Sequence, residues 1–99
     1  MRSSRANRTD GNQTQVVADL RKMGVSVLII SSIGDGAPDL VCALDGHTIL
    51  VELKDPAQPP SKRKLTDDES TFRGTWDGIL ITATTAEAIY STLEETWTP

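Results

Sequence analysis

The sequence predicts a mixed α/β domain of order αβββαβα, a four-stranded sheet with helices on both faces. Three observations predict it. Two apolar runs flank Asp45-Gly46, a pair suited to a two-residue type I′ turn, so Pro38 to Lys54 reads as a hairpin. Helical signals recur outside it, as apolar spacing from about Asn12 to Met23 and as S/T-x-x-E capping patterns at Thr66 and Thr84. The strand–helix–strand run from Thr48 to Thr82 is a crossover, which sets the last strand parallel to the third with a right-handed connection. The chain has 99 residues, enough for one domain whose modest core buries somewhat over ~60% of the unfolded surface.

Residues 1–9 lack periodicity and are expected to be a flexible basic arm carrying Arg2, Arg5 and Arg8, with the single domain spanning 10–99. In the first helix Val16, Val17, Leu20 and Met23 form the buried stripe, with Gln13 on the same side one turn earlier. Thr9 or Asp10 is the expected cap, and Gly24 ends the helix. Val25 to Ser31 is β-branched and apolar, the pattern of a strand covered on both faces or nearly so. Gly34 and Gly36 let the chain turn sharply before Pro38; either a plain turn or a close approach to a phosphate explains them.

The Asp45-Gly46 turn fixes the hairpin register by counting outward. Leu44 faces His47, Ala43 faces Thr48, Cys42 faces Ile49, Val41 faces Leu50, Leu40 faces Val51, and Asp39 faces Glu52. The period of two puts Lys54 on the same face as Glu52. Like charges directly opposite one another destabilise a hairpin, so either one carboxylate is protonated or a cation lies between them. Two hard oxygen ligands beside an ammonium suit Mg²⁺ and a phosphate substrate.

Asp55 to Lys64 holds Pro56, Pro59 and Pro60, and is a loop leaving that edge with a basic end at Lys62, Arg63 and Lys64. Thr66 and Glu69 read as N-cap and N3 of the second helix, which ends near Arg73 or Gly74. Gly78 to Thr82 is the fourth strand. Thr84-x-x-Glu87 opens the closing helix, where Ala86, Ile89, Tyr90, Leu93 and Trp97 share a face.

Composition narrows the function classes. No stretch is long and apolar enough for a membrane helix, and no signal-peptide core is apparent at the N-terminus. Cys42 is the only cysteine, which excludes an internal disulfide and points to a reduced, cytoplasmic protein. Net charge is −4, yet the bases cluster before Asp10 and around Lys62 while the chain from Leu65 onward is acidic. His47 lies at the turn end of the hairpin, far from Asp39 and Glu52, which disfavours a general-base histidine or a hydrolase triad.

Pro38-Asp39 followed by Glu52-Leu53-Lys54 resembles the PD-(D/E)xK motif of the restriction-endonuclease-like nucleases. Gly34-x-Gly36-x-Pro38-Asp39-Leu40, Asp10-x-Asn12-Gln13 and Leu65-Thr66-x-x-Glu69 further resemble the compact stand-alone VRR-NUC nucleases of phages and bacteria, over nearly the whole chain from Asp10. The resemblance implies a restriction-endonuclease-like core and a metal-dependent DNA endonuclease leaving 5′-phosphate and 3′-hydroxyl ends. Asp39, Glu52 and the Leu53 carbonyl would hold Mg²⁺ or Mn²⁺, and Lys54 would orient the attacking water or stabilise the oxyanion. Gln13 stands where this class often has an acidic ligand, so it can at most orient a ligand or water; mere packing explains it equally. Glu69 is either a further ligand or only a helix cap. Gly34, Gly36, Lys62, Arg63 and Lys64 are candidate DNA contacts. A homodimer acting on branched DNA such as a Holliday junction is the expected assembly, with Trp76, Tyr90 and Trp97 as candidate interface aromatics. The alternatives are a monomeric nuclease directed at flaps or single strands, and a DNA-junction-binding module without catalysis.

Overall fold

A computed structural model describes residues 11–59 and 64–97, the side chains of residues 96 and 97 excepted. The order is α1 (Gln13–Lys22), β1 (Ser26–Ile29), β2 (Leu40–Leu44), β3 (His47–Leu53), α2 (Asp67–Thr75), β4 (Leu80–Ala83) and α3 (Ala86–Trp97). The strands form one mixed sheet in the order β1-β2-β3-β4. The first three are antiparallel neighbours, and β4 runs parallel to β3 as the crossover requires. No helix among the described residues is long and apolar enough to cross a membrane.

The central hairpin has the expected register from Leu44↔His47 to Leu40↔Val51. Asp45 and Gly46 both adopt positive φ, 52° and 86°, as a type I′ turn demands. Because side chains alternate, Leu40 and Cys42 of β2 share a face with Ile49, Val51 and Leu53 of β3. Val16, Val17 and Leu20 of α1 and Ala86, Ile89 and Leu93 of α3 cover that face and complete the core. Leu20, Leu40, Leu53, Ile89 and Leu93 are fully buried, each stabilising the fold by roughly 1.5–3 kcal/mol through removal from water. The opposite face carries Val41, Leu50, Glu52, Leu80 and Thr82, and α2 lies across it without burying any of its own residues completely.

Several local expectations need correction. β1 is not covered on both faces: it is an edge strand, with Leu28 at 61% and Ile29 at 47% exposure. Its apolar composition reads like a central strand, but nothing in the described chain flanks its outer side. There Arg21 donates to the Val27 carbonyl at 3.1 Å. Asn12, and neither Thr9 nor Asp10, occupies the N-cap position of α1 (the two lie outside the described residues), and it makes no side-chain cap. Its amide instead donates to the carbonyls of Lys54 (3.3 Å) and Thr84 (3.0 Å), stitching α1 to the ends of β3 and β4. The cap of α3 is Thr85, whose hydroxyl accepts the Ala88 N–H at 3.1 Å; this puts Glu87 one position too early for a capping box.

Candidate active site

The site lies where β2 begins and β3 ends. The regular ladder stops at Leu40↔Val51, and the next residue departs from it. Asp39 donates its N–H to the Val51 carbonyl at 2.9 Å, so that Asp39 and Leu40 together oppose Val51 as at a β-bulge. Its carboxylate accepts the Leu53 N–H at 2.7 Å, and its carbonyl accepts the Ile30 N–H at 2.8 Å. The expected direct opposition of Asp39 and Glu52 is thus corrected: the bulge re-aims Asp39, and a main-chain donor of β3 takes part of its charge.

Glu52 is 6% exposed, the one buried acid among the described residues. Burial, then the charges of Asp39 and Glu69, and a hydrogen bond with Glu69 push its pKa up to about 8, against the partial opposing effect of Lys54. In the absence of a cation Glu52 therefore holds a proton at neutral pH, the first of the two resolutions that the hairpin chemistry allowed. Lys54 Nζ stands 3.5 Å from Glu52 and 3.8 Å from Glu69. It shares the Glu52 face as the alternation requires, and its main-chain N–H is held by the Ala83 carbonyl at 3.0 Å.

α2 delivers Glu69. Thr66 caps the helix in a complete capping box: its hydroxyl accepts the Glu69 N–H at 3.1 Å, and Glu69 Oε1 accepts the Thr66 N–H at 2.9 Å. The same carboxylate serves both as helix cap and as neighbour of Glu52 and Lys54, so the two readings of Glu69 coexist. Gly34, Asp35 and Gly36 all take positive φ, and at Gly36 a Cβ would collide with the Asp68 carbonyl. Close packing of the β1–β2 loop on the first turn of α2 therefore explains Gly36 without a phosphate.

Pro38, Glu52, Glu69, Phe72 and Arg73 line a narrow, closely packed seam between α2 and the sheet. Arg73 escaped the sequence reading. Its guanidinium donates to Thr82 Oγ1 at 2.6 Å, and Thr82 is the β4 partner of Glu52. The i,i+4 spacing of Glu69 and Arg73 was the available signal, since it places both on one helix face.

The other candidates lie further out. Gln13 is buried, with Nε2 3.4 Å from Ser31 Oγ and Oε1 lacking a partner. Lys64 is exposed, while Lys62 and Arg63 lie outside the described residues, as do the basic arm and the side chain of Trp97. Trp76 is 43% exposed and stacked on Phe72 at 5.5 Å, whereas Tyr90 packs against the core. His47 sits beside the turn, far from the acids. The Cys42 thiol, pushed up to about 11 by burial, is inert packing. Among the described residues no three His, Cys, Asp or Glu side chains form a ready metal cluster, so a cation here would rest on two carboxylates and main-chain oxygen. No protein-family model, curated protein or solved structure matches the chain.

Proposed function

We propose that the chain is a divalent-metal-dependent phosphodiesterase that cuts DNA, of the PD-(D/E)xK type its motif resembles. The observation that carries this reading is the gathering of Asp39, Glu52 and Lys54 at one end of the sheet, with Glu52 buried among like charges. A structural ion-pair cluster does not account for this, because exposed pairs add little stability and a buried acid facing two other carboxylates subtracts from it.

The donors fit a hard cation. Asp39 and Glu52 offer carboxylate oxygens, and Leu53 a carbonyl, in a pocket where burial, and then excess negative charge, raises the pKa of Glu52. Mg²⁺ or Mn²⁺ would supply Lewis-acid stabilisation of phosphoryl charge and a more acidic water. The chain's own residues do the rest. The Leu53 N–H fixes the Asp39 carboxylate in place. Lys54, anchored through its main chain to β4, presents a fixed positive charge where an oxyanion develops. Glu69 holds α2 over the pair and keeps Lys54 aimed inward.

The finer reading is an enzyme of the bacterial or phage-infected cytoplasm that dimerises and nicks branched DNA. Two sites related by a two-fold axis suit a four-way junction, and the exposed Trp76 offers an aromatic anchor for a subunit contact. Cleavage of duplex, flap and four-way-junction DNA with Mg²⁺ or Mn²⁺ tests the activity, and light scattering tests the assembly. Asp39→Ala and Glu52→Ala should each abolish cleavage; near-wild-type cutting by either variant would refute the assignment. A strict monomer preferring flaps would remove the junction reading and leave the chemistry standing.

A further inference from the structure

The cation in the seam that the motif leaves unexplained is Arg73. Glu52 and Thr82 are direct partners across β3 and β4, so their side chains emerge side by side on one face, about 4.8 Å apart at the main chain. Arg73 reaches down from α2 to Thr82, the strand partner of Glu52, and lines the same seam as Glu52. Its hydrogen bond to a neutral hydroxyl uses one of five N–H donors, and among the described residues it forms no ion pair, although the first turn of its own helix carries Asp67, Asp68 and Glu69. Lys54, by contrast, is occupied by two carboxylates. The seam is too narrow for a nucleotide, so a DNA strand meets the site at its lip, and Thr82, the residue Arg73 holds, is exposed there.

We infer that Arg73 is a phosphate-binding residue of this site, gripping a backbone phosphate of the DNA next to the one that approaches Glu52. A planar guanidinium with free N–H groups suits two phosphate oxygens at once, which a lysine at the same place would not match. The inference rests on the DNA-directed reading above and is separable from its catalytic part. Thr82 in this arrangement is a rest for the guanidinium in the free protein.

Binding of fluorescently labelled duplex DNA, measured against salt with Ca²⁺ replacing Mg²⁺, tests it in the full-length chain. Arg73→Gln keeps a neutral donor for Thr82 and should bind about ten- to a hundred-fold more weakly. Its slope of log affinity against log salt should be shallower by ~0.9, the signature of one lost phosphate contact. Arg73→Lys should restore the slope and only part of the affinity. Thr82→Val removes the resting contact and should bind as wild type does. If Thr82→Val weakens binding as much as Arg73→Gln, Arg73 merely anchors α2 and the inference fails; an unchanged slope in Arg73→Gln overturns it as well. A shallower slope in Arg73→Gln, together with a wild type that binds DNA but never cuts it in Mg²⁺, would keep Arg73 and refute the nuclease. A wild type that binds no DNA refutes both.

Discussion

Replacing Glu52 by Gln isolates the electrostatic strain at the centre of the site. In the folded chain the Glu52 carboxyl titrates at about 8, against an ordinary 4.5. Below pH 4.5 folded and unfolded chains both hold the proton, and the group leaves stability unaffected. Between 4.5 and 8 the unfolded chain releases the proton while the folded chain keeps it, so stability falls as pH rises. Each pH unit in that window costs about 1.4 kcal/mol, or roughly 4 to 5 kcal/mol across it, and above the folded value the loss levels off. Glutamine matches the protonated carboxyl in shape and can donate to Glu69, yet never ionises. Glu52→Gln should therefore equal wild type in stability near pH 4 and exceed it by about 3 kcal/mol at pH 7. Urea denaturation of both proteins in EDTA, from pH 4 to 8.5, measures the difference directly. The Cys42 thiol affects both proteins alike and drops out. A stability difference that stays flat with pH would refute the burial and charge argument for Glu52.

Other perturbations separate the parts of the site. Lys54→Ala should lose most cleavage while Mn²⁺ binding persists in calorimetry, because the ammonium is a charge beside the cation and not a ligand; lost binding in a folded variant would give Lys54 another role. Gly36→Ala meets both a positive φ and the Asp68 carbonyl, so it should destabilise by more than the ~1–2 kcal/mol of the backbone conformation alone, and hydrogen exchange should show α2 loosened before the core. Thr66→Ala removes the cap and should cost about 1 kcal/mol in thermal denaturation, with a fall in activity as Glu69 loses its place.

Local chemistry made much of this legible in the sequence. The hairpin register follows pair by pair from two residues, Asp45 and Gly46, because a two-residue turn leaves no freedom in counting. The crossover set the direction of β4, and the Thr66 capping box gave the start of α2 with Glu69 at N3. What escaped depends on contacts between segments distant in sequence. The amide of Asn12 looks like a helix cap, and its partners at Lys54 and Thr84 exist only after folding. Arg73 looks like a base closing a helix until β4 brings Thr82 beneath it. The bulge at Asp39 has no signature in an apolar run, since side-chain alternation assumes an unbroken ladder. Likewise β1 resembles a buried strand by composition, because sequence records how apolar a strand is and not which strand lies outermost.

The outer side of β1 bears on how this protein behaves in concentrated solution. The Ile30–Asp39 bond turns the main-chain groups of even-numbered residues inward, so those of Val27 and Ile29 point out. Flanked by exposed Leu28 and Ile29, they form an unpaired edge to which a strand of another chain can add. Arg21 blocks that growth by bonding the Val27 carbonyl and setting a charge across the approach. Among the described residues, one side chain of α1, remote from the acids, thus guards the open edge of the sheet. Arg21→Ala should therefore raise self-association through β1, read by light scattering, while leaving the distant acids in place.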